Sequence, residues 1–221
     1  MHRLIVLRHC DEESWLPAWP CLSDLHAWRE LEGERPLTSR GQRRARDLAE
    51  RLLDWAPDRL LTSPLCRAAQ TAEAIGNALG LAVEKRADLA EVSFGVLRGF
   101  EPRTSFGLRR LLTRIPAPRL FWSPFLRGMW LLGRTAGVFS PQALRRRSHV
   151  LRTALEREAQ GRCLVVVAHG VILLYLHAVL VEDAFAPALK ARHRLRTGEY
   201  RVLDFDGQRW NETARGRGGI G

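Results

Sequence analysis

Five residues in this chain have side chains and settings suited to chemistry: Arg8, His9, Arg67, Glu91 and His169. Two of them, His9 and His169, follow short apolar runs, Leu4–Leu7 and Leu164–Ala168, and Arg8 stands directly before His9. Two arginines and two histidines around one cavity can surround a phosphoryl group and neutralise its oxygens. A histidine in such a cage can attack phosphorus itself. A nearby carboxylic acid, here Glu91, can give a proton to the departing alcohol. The arginines supply the charge stabilisation, so this chemistry needs no metal.

These side chains need elements to bring them together. The two apolar runs are too short for helices and read as buried strands. In open α/β sheets, ligands bind outside the carboxyl ends of the strands, which is where both histidines would fall. Pro36–Gly41 opens a helix capped by Thr38 or Ser39, with Ala45, Leu48, Ala49, Leu52 and Leu53 at helical spacing, and Pro57 closes it. Asp58–Thr62 reads as a second strand. Ser63-Pro64 starts a helix with an apolar stripe of Ala68, Ala69, Ala72, Ile75 and Leu79, which Gly80 stops. Arg67 stands on its first turn.

A short strand is expected over Leu81–Glu84, then a loop carrying Glu91. A helix from about Pro141 to Gln160 leads to the second histidine strand, and another helix follows Gly170. Tyr200–Phe205 and a short piece near Arg209 read as final strands, and the Gly/Arg-rich stretch from Arg215 to Gly221 reads as disordered. Alternating strands and helices predict an α/β fold. We expect a three-layer α/β/α sandwich with a mainly parallel central sheet, as one domain over 1–221. A mostly helical cap insertion is expected at about 101–147. The cap mixes arginines with Phe121, Trp122, Phe125, Met129 and Trp130. It would lie near the carboxyl edge of the sheet and either select substrate or only pack.

Composition limits the partners. The 221 residues carry 35 lysines and arginines against 24 acids, a net charge of +11, and only Lys85 and Lys190 are lysine. Arginine forks suit phosphate and carboxylate, although charge alone does not separate an anionic substrate from nucleic acid or a membrane face. The cysteines at 10, 21, 66 and 163 show no CxxC spacing, so neither a zinc site nor a disulfide framework is expected, and free thiols suit a cytoplasmic protein. The apolar stretch from Cys163 to Val181 is broken by His169-Gly170 and fits strand, turn and helix better than a membrane span.

Arg8-His9-Cys10 resembles the Arg-His-Gly signature of the histidine phosphatase superfamily, which includes cofactor-dependent phosphoglycerate mutases. Four later segments resemble that family in the same order. They are Arg35-Pro36-Leu37-Thr38-x-x-Gly41, Ser63-Pro64-x-x-Arg67-Ala68-x-Gln70-Thr71-Ala72, Glu91-x-x-Phe94-Gly95-x-x-x-Gly99 and Ala168-His169-Gly170. The resemblance covers most of the chain except the cap.

It implies His9 as phosphorylated nucleophile, Glu91 as proton donor, and Arg8, Arg67 and His169 as the phosphate pocket, with no metal and no cofactor. The sequence departs from the family at Cys10, which replaces the glycine. It departs again at Asp11-Glu12-Glu13-Ser14-Trp15, where relatives carry Glu-Thr and then a phosphate-contacting asparagine. The expected function is a metal-independent phosphomonoesterase acting on a small phosphorylated metabolite, with no nucleic-acid partner. Left open are a phosphoprotein phosphatase of the phosphohistidine type and a catalytically idle basic binding module. A mutase fits less well.

Overall fold

The computed structural model describes residues 2–13, 34–91, 141–181 and 193–219. The chain divides into two compact units. One comprises Met1–Glu13, Arg35–Glu91 and Arg145–Gly221 and holds all five candidate residues. The other comprises Ser14–Glu34 and Val92–Leu144 and lies almost wholly outside the described residues. The expected cap up to residue 140, the Phe94-Gly95-x-x-x-Gly99 part of the Glu91 motif and the tryptophans near the N-terminus therefore lie outside the described residues as well.

Six strands are described: β1 (His2–Arg8), β2 (Arg59–Thr62), β3 (Val83–Lys85), β4 (Cys163–Ala168), β5 (Glu199–Phe205) and β6 (Trp210–Arg217). They form one sheet in the order β3-β2-β4-β1-β5-β6. β3, β2, β4 and β1 are mutually parallel, and β5 runs antiparallel to both of its neighbours. The mainly parallel sheet of the sequence reading is therefore present. Among the described residues four α-helices accompany it: α1 (Ser39–Leu53), α2 (Cys66–Leu79), α3 (Pro141–Glu158) and α4 (Gly170–Val181).

The layering follows from the pleat, because successive strand residues point to opposite faces. Ile5 and Leu7 of β1 and Val165 and Val167 of β4 pack with Ala45, Leu48, Ala49 and Leu52 of α1 and Ala68, Ala72 and Ile75 of α2. Leu4, Val6, Leu164 and Val166 face the other way, onto Leu151 and Leu155 of α3 and Ile172, Leu173 and Leu176 of α4. β1 and β4 are buried on both faces, which is why their sequences read as unbroken apolar runs. Thr38 caps α1 by accepting from the Gly41 amide at 2.9 Å, and Gly80 ends α2 in the left-handed region.

One expectation needs correction. Arg215 to Arg217 are not disordered; they complete β6 and pair with Glu199 to Arg201. Gly216 is there because the Tyr200 ring lies across it: a Cβ would come within 2.6 Å of the phenol oxygen. The glycine that reads as a mark of disorder is a fit to a neighbouring ring. Arg145, Arg146 and Arg147 stand on α3, the helix expected from about Pro141. Among the described residues, no helix is long and apolar enough to cross a membrane.

Candidate active site

Strand register brings the candidate residues to one edge. β1 and β4 run side by side with Arg8 opposite Ala168, so the next residues, His9 and His169, emerge together. The His9 amide donates to the Ala168 carbonyl at 3.0 Å, and the rings lie 5.1 Å apart, tilted by 55°. β2 ends at the same level, with Thr62 opposite Val167. Ser63 follows it and meets His169: Ser63 Oγ lies 2.7 Å from His169 Nε2.

The His9 tautomer is forced. Nδ1 lies 2.8 Å from the Cys10 carbonyl oxygen, which can only accept, so Nδ1 carries the proton. Nε2 then holds the lone pair. Burial, with the charges of Arg67, Arg8 and Arg35, pushes the His9 pKa down to about 3, so the ring is neutral near pH 7. His169 is held well below the ordinary histidine range by burial and by neighbouring His9, Arg67 and Arg8. Cys10 is fully buried with its thiol pushed up to about 12 by burial, so it fills the glycine position as a small inert side chain and not as a thiolate.

The arginines approach from two sides. Arg67, only 3% exposed, enters from the first turn of α2 and pairs with Glu12 at 2.8 Å. Arg8 donates from Nη1 to the Leu195 carbonyl at 3.0 Å, and burial lowers its pKa. The first turn of α4 packs against it: a Cβ on Gly170 would come within 3.1 Å of Cζ of Arg8. This close approach explains the glycine of Ala168-His169-Gly170. Glu91 lies at the N-terminus of α4, its two carboxylate oxygens each accepting, at 3.3 Å, from the amides of Val171 and Ile172. A carboxylate there meets unpaired amides and the positive end of the helix. Its charge also reaches Arg8.

Arg8, His9, Arg67, His169 and Glu91 therefore share one sheet edge. Reading residues for chemistry missed several of their neighbours. Thr71 Oγ1 accepts from the Cys10 amide at 3.1 Å and donates to the Arg67 carbonyl at 2.8 Å. Gln70 accepts from the Leu37 amide at 2.7 Å. Arg35 donates to the Glu13 carbonyl at 2.9 Å and lies 3.5 Å from Glu12. Arg147 donates to the carbonyls of Asp88 and Ala90 at 2.8 and 2.6 Å and so clasps the segment leading into Glu91. Ser63, Gln70, Thr71 and Arg35 all belong to the motif segments, so a signal for them was present. Glu12 and Arg147 had none. Among the described residues, no group of three His, Cys, Asp or Glu side chains is arranged to hold a metal ion.

A buried sheet edge with paired histidines and converging arginines defines a phosphate-handling α/β protein. The family model of the histidine phosphatase superfamily (branch 1) matches residues 4–216, and the chain belongs to that superfamily. Among curated proteins it is 30% identical over 214 residues to "Probable phosphoglycerate mutase GpmB" of Klebsiella pneumoniae, covering 95% of this chain and 88% of that one. The protein of the same name from Salmonella paratyphi C is 27% identical over 213 residues, with the same coverage.

Among solved structures, the alpha-ribazole phosphatase of Shigella flexneri superposes with a TM-score of 0.70 at 23% identity, covering 99% and 98% of the two chains. The mycobacterial glucosyl-3-phosphoglycerate phosphatase gives 0.66 at 24%, covering 96% and 97%. At these identities the structural likeness speaks for the fold.

Proposed function

We propose that this protein is a metal-independent phosphomonoesterase that acts on a small phosphorylated metabolite through a phosphohistidine at His9. The observation that carries the reading is the neutral His9 ring, its Nδ1–H held by the Cys10 carbonyl, beside Arg8 and Arg67. In the first step Nε2 bonds to phosphorus and the ester P–O bond breaks. Glu91, in its acid form, protonates the departing alcohol oxygen. In the second step water attacks phosphorus, the N–P bond breaks, and Glu91 takes the proton of that water. Inorganic phosphate leaves and His9 is neutral again. Arg8, Arg67 and His169 bind the phosphoryl oxygens and stabilise the charge that gathers on them.

The relatives named as phosphoglycerate mutases favour a second reading, in which the phosphoryl group passes to another hydroxyl instead of water. One experiment separates the readings: turnover on a panel of phosphorylated metabolites in excess chelator, with acid-quench detection of a phosphoenzyme. Release of inorganic phosphate with a labelled His9 supports the phosphatase. Isomerisation of 3-phosphoglycerate without release supports the mutase. An absence of turnover and labelling across the panel supports the idle binding module. Activity that chelation removes and a divalent ion restores would reject the histidine-nucleophile reading.

A further inference from the structure

Arg67, which the proposed function assigns to the phosphate pocket, already holds an anion that belongs to the chain. Glu12 Oε2 lies 2.8 Å from Arg67 Nε, off the alignment of a hydrogen bond, and Glu12 Oε1 lies 3.5 Å from Arg35 Nη2. The carboxylate thus bridges two guanidinium groups, and its charge also reaches Arg8. Arg67 is one of the arginines that a phosphoryl group on His9 would need, so the carboxylate sits on a group that the phosphate must use; the Arg35 charge also acts on His9.

The backbone beneath it cannot easily retreat. The Thr38 amide donates to the Asp11 carbonyl at 3.0 Å, and the Glu13 amide donates to the Pro36 carbonyl at 2.8 Å. Glu12 itself bridges to Leu37 in antiparallel fashion. Residues 11–13 are therefore pinned on both sides of Glu12, and only its side chain can turn. An incoming phosphate must displace the carboxylate from Arg67 and Arg35 and then remain near its negative charge.

We propose that Glu12 is the resting occupant of the Arg67 side of the pocket, where its carboxylate also meets Arg35. Phosphate exchanges with it, and Glu12 sets how tightly the pocket retains an anion. The inference rests on the proposed function for its identification of the pocket. Its chemical consequence is weak retention of inorganic phosphate, the product of hydrolysis. A glutamate here trades tight substrate capture for ready product release. The other half of the pocket is built differently: the Arg8 guanidinium donates to the neutral Leu195 carbonyl, and the Glu91 charge that reaches it belongs to a carboxylate held by the amides of α4.

The test is calorimetric titration of inorganic phosphate into the wild-type protein, Glu12→Gln and Glu12→Ala, with phosphate inhibition of aryl phosphate hydrolysis measured alongside. Removing a like charge a few ångströms from the bound anion should tighten phosphate about tenfold or more in both variants. Glu12→Gln is isosteric and preserves the backbone bridge, so it reads the effect even if Glu12→Ala does not fold. Affinity within twofold of wild type overturns the proposal. So does weakened affinity, which would make Glu12 a brace that positions Arg67. If no variant hydrolyses any phosphate ester yet Glu12→Gln still binds phosphate more tightly, the phosphatase reading fails and this inference stands. If turnover is normal and affinity does not move, this inference fails alone.

Discussion

Among the described residues, two buried histidine pairs have nearly the same geometry. His9 and His169 have ring centroids 5.1 Å apart at a 55° tilt, and His177 and His193 have centroids 5.1 Å apart at 53°. Ring geometry does not distinguish them; hydrogen bonding does. His177 Nε2 lies 2.9 Å from the Glu212 carboxylate, which can only accept, so the proton is on Nε2. Nδ1 of the neutral ring must then accept, and His193 Nδ1 donates to it at 2.9 Å. Arg201 completes the chain, 3.2 Å from the same carboxylate oxygen.

In the second pair a carboxylate balances the charge and orders each proton. At the first pair arginines crowd neutral rings, and His169 Nδ1 has no hydrogen-bond partner among the described residues. A carboxylate-anchored network rigidifies a core, whereas an unused ring nitrogen beside cations leaves room for a ligand.

The largest expected effect separates the pairs by activity. His9→Ala should lower hydrolysis of an aryl phosphate by about a thousandfold or more, since the nucleophile is gone. Circular dichroism should show an intact fold. His177→Ala should retain turnover within a few-fold. Wild-type-like rates in His9→Ala, or an equal loss in His177→Ala, would dissolve the distinction.

The two carboxylates sharpen it. Glu212 binds a ring nitrogen, whereas Glu91 binds the amides of α4. Glu91→Gln should slow alkyl phosphates by about a hundredfold, and aryl phosphates far less, because a phenolate leaves with little help. Equal losses on both substrates would make Glu91 structural.

Next in size is stability. His177→Ala leaves Glu212 and His193 without a shared partner inside the core, at a cost of about 1–3 kcal/mol. Urea unfolding of this variant measures the cost. An unchanged midpoint would mean that the His177 network contributes nothing to stability.

The smallest effect is the dependence of stability on pH. The folded His9 pKa of about 3 lies below its ordinary 6.5. Between those values the unfolded chain binds a proton that the folded protein does not, so stability falls as pH drops through this window. Above pH 6.5 the ring is neutral in both states and contributes no slope. His169 and His177 are lowered too and act in the same direction. Each group can contribute at most about 1.4 kcal/mol per pH unit. Melting curves from pH 7 to 4.5 should show a shallower decline in His9→Gln than in wild type; an identical decline would remove His9 from the linkage.

The first pair was legible in the sequence and the second was not. His9 and His169 follow strands buried on both faces, whose unbroken apolar runs are visible without a structure, and such strands deliver chemistry at their carboxyl ends. Arg67 followed from its place on the next helix. The second network draws one residue each from α4, the segment after residue 192, β5 and β6, and no local spacing connects them. Glu12 read only as part of a departure from the family pattern, because its partners at 35 and 67 meet it only in the folded chain. Gly216 misled because composition cannot tell a flexible glycine from one that accommodates a ring.

The β6 strand also bears on how the protein behaves in concentrated solution. Among the described strands it is the outermost on its side of the sheet, and Arg215 and Arg217 are exposed along it. Charged side chains on an outer strand discourage edge-to-edge pairing between molecules. Beneath it lies β5, whose other side is paired with β1. Cutting the chain after Phe205 would bare the β5 edge, with Tyr200 and Val202 of the core on it, and would also remove Glu212 from His177. A fragment shortened in this way would offer a template for strand addition one strand away from His9, and its failure would be self-association.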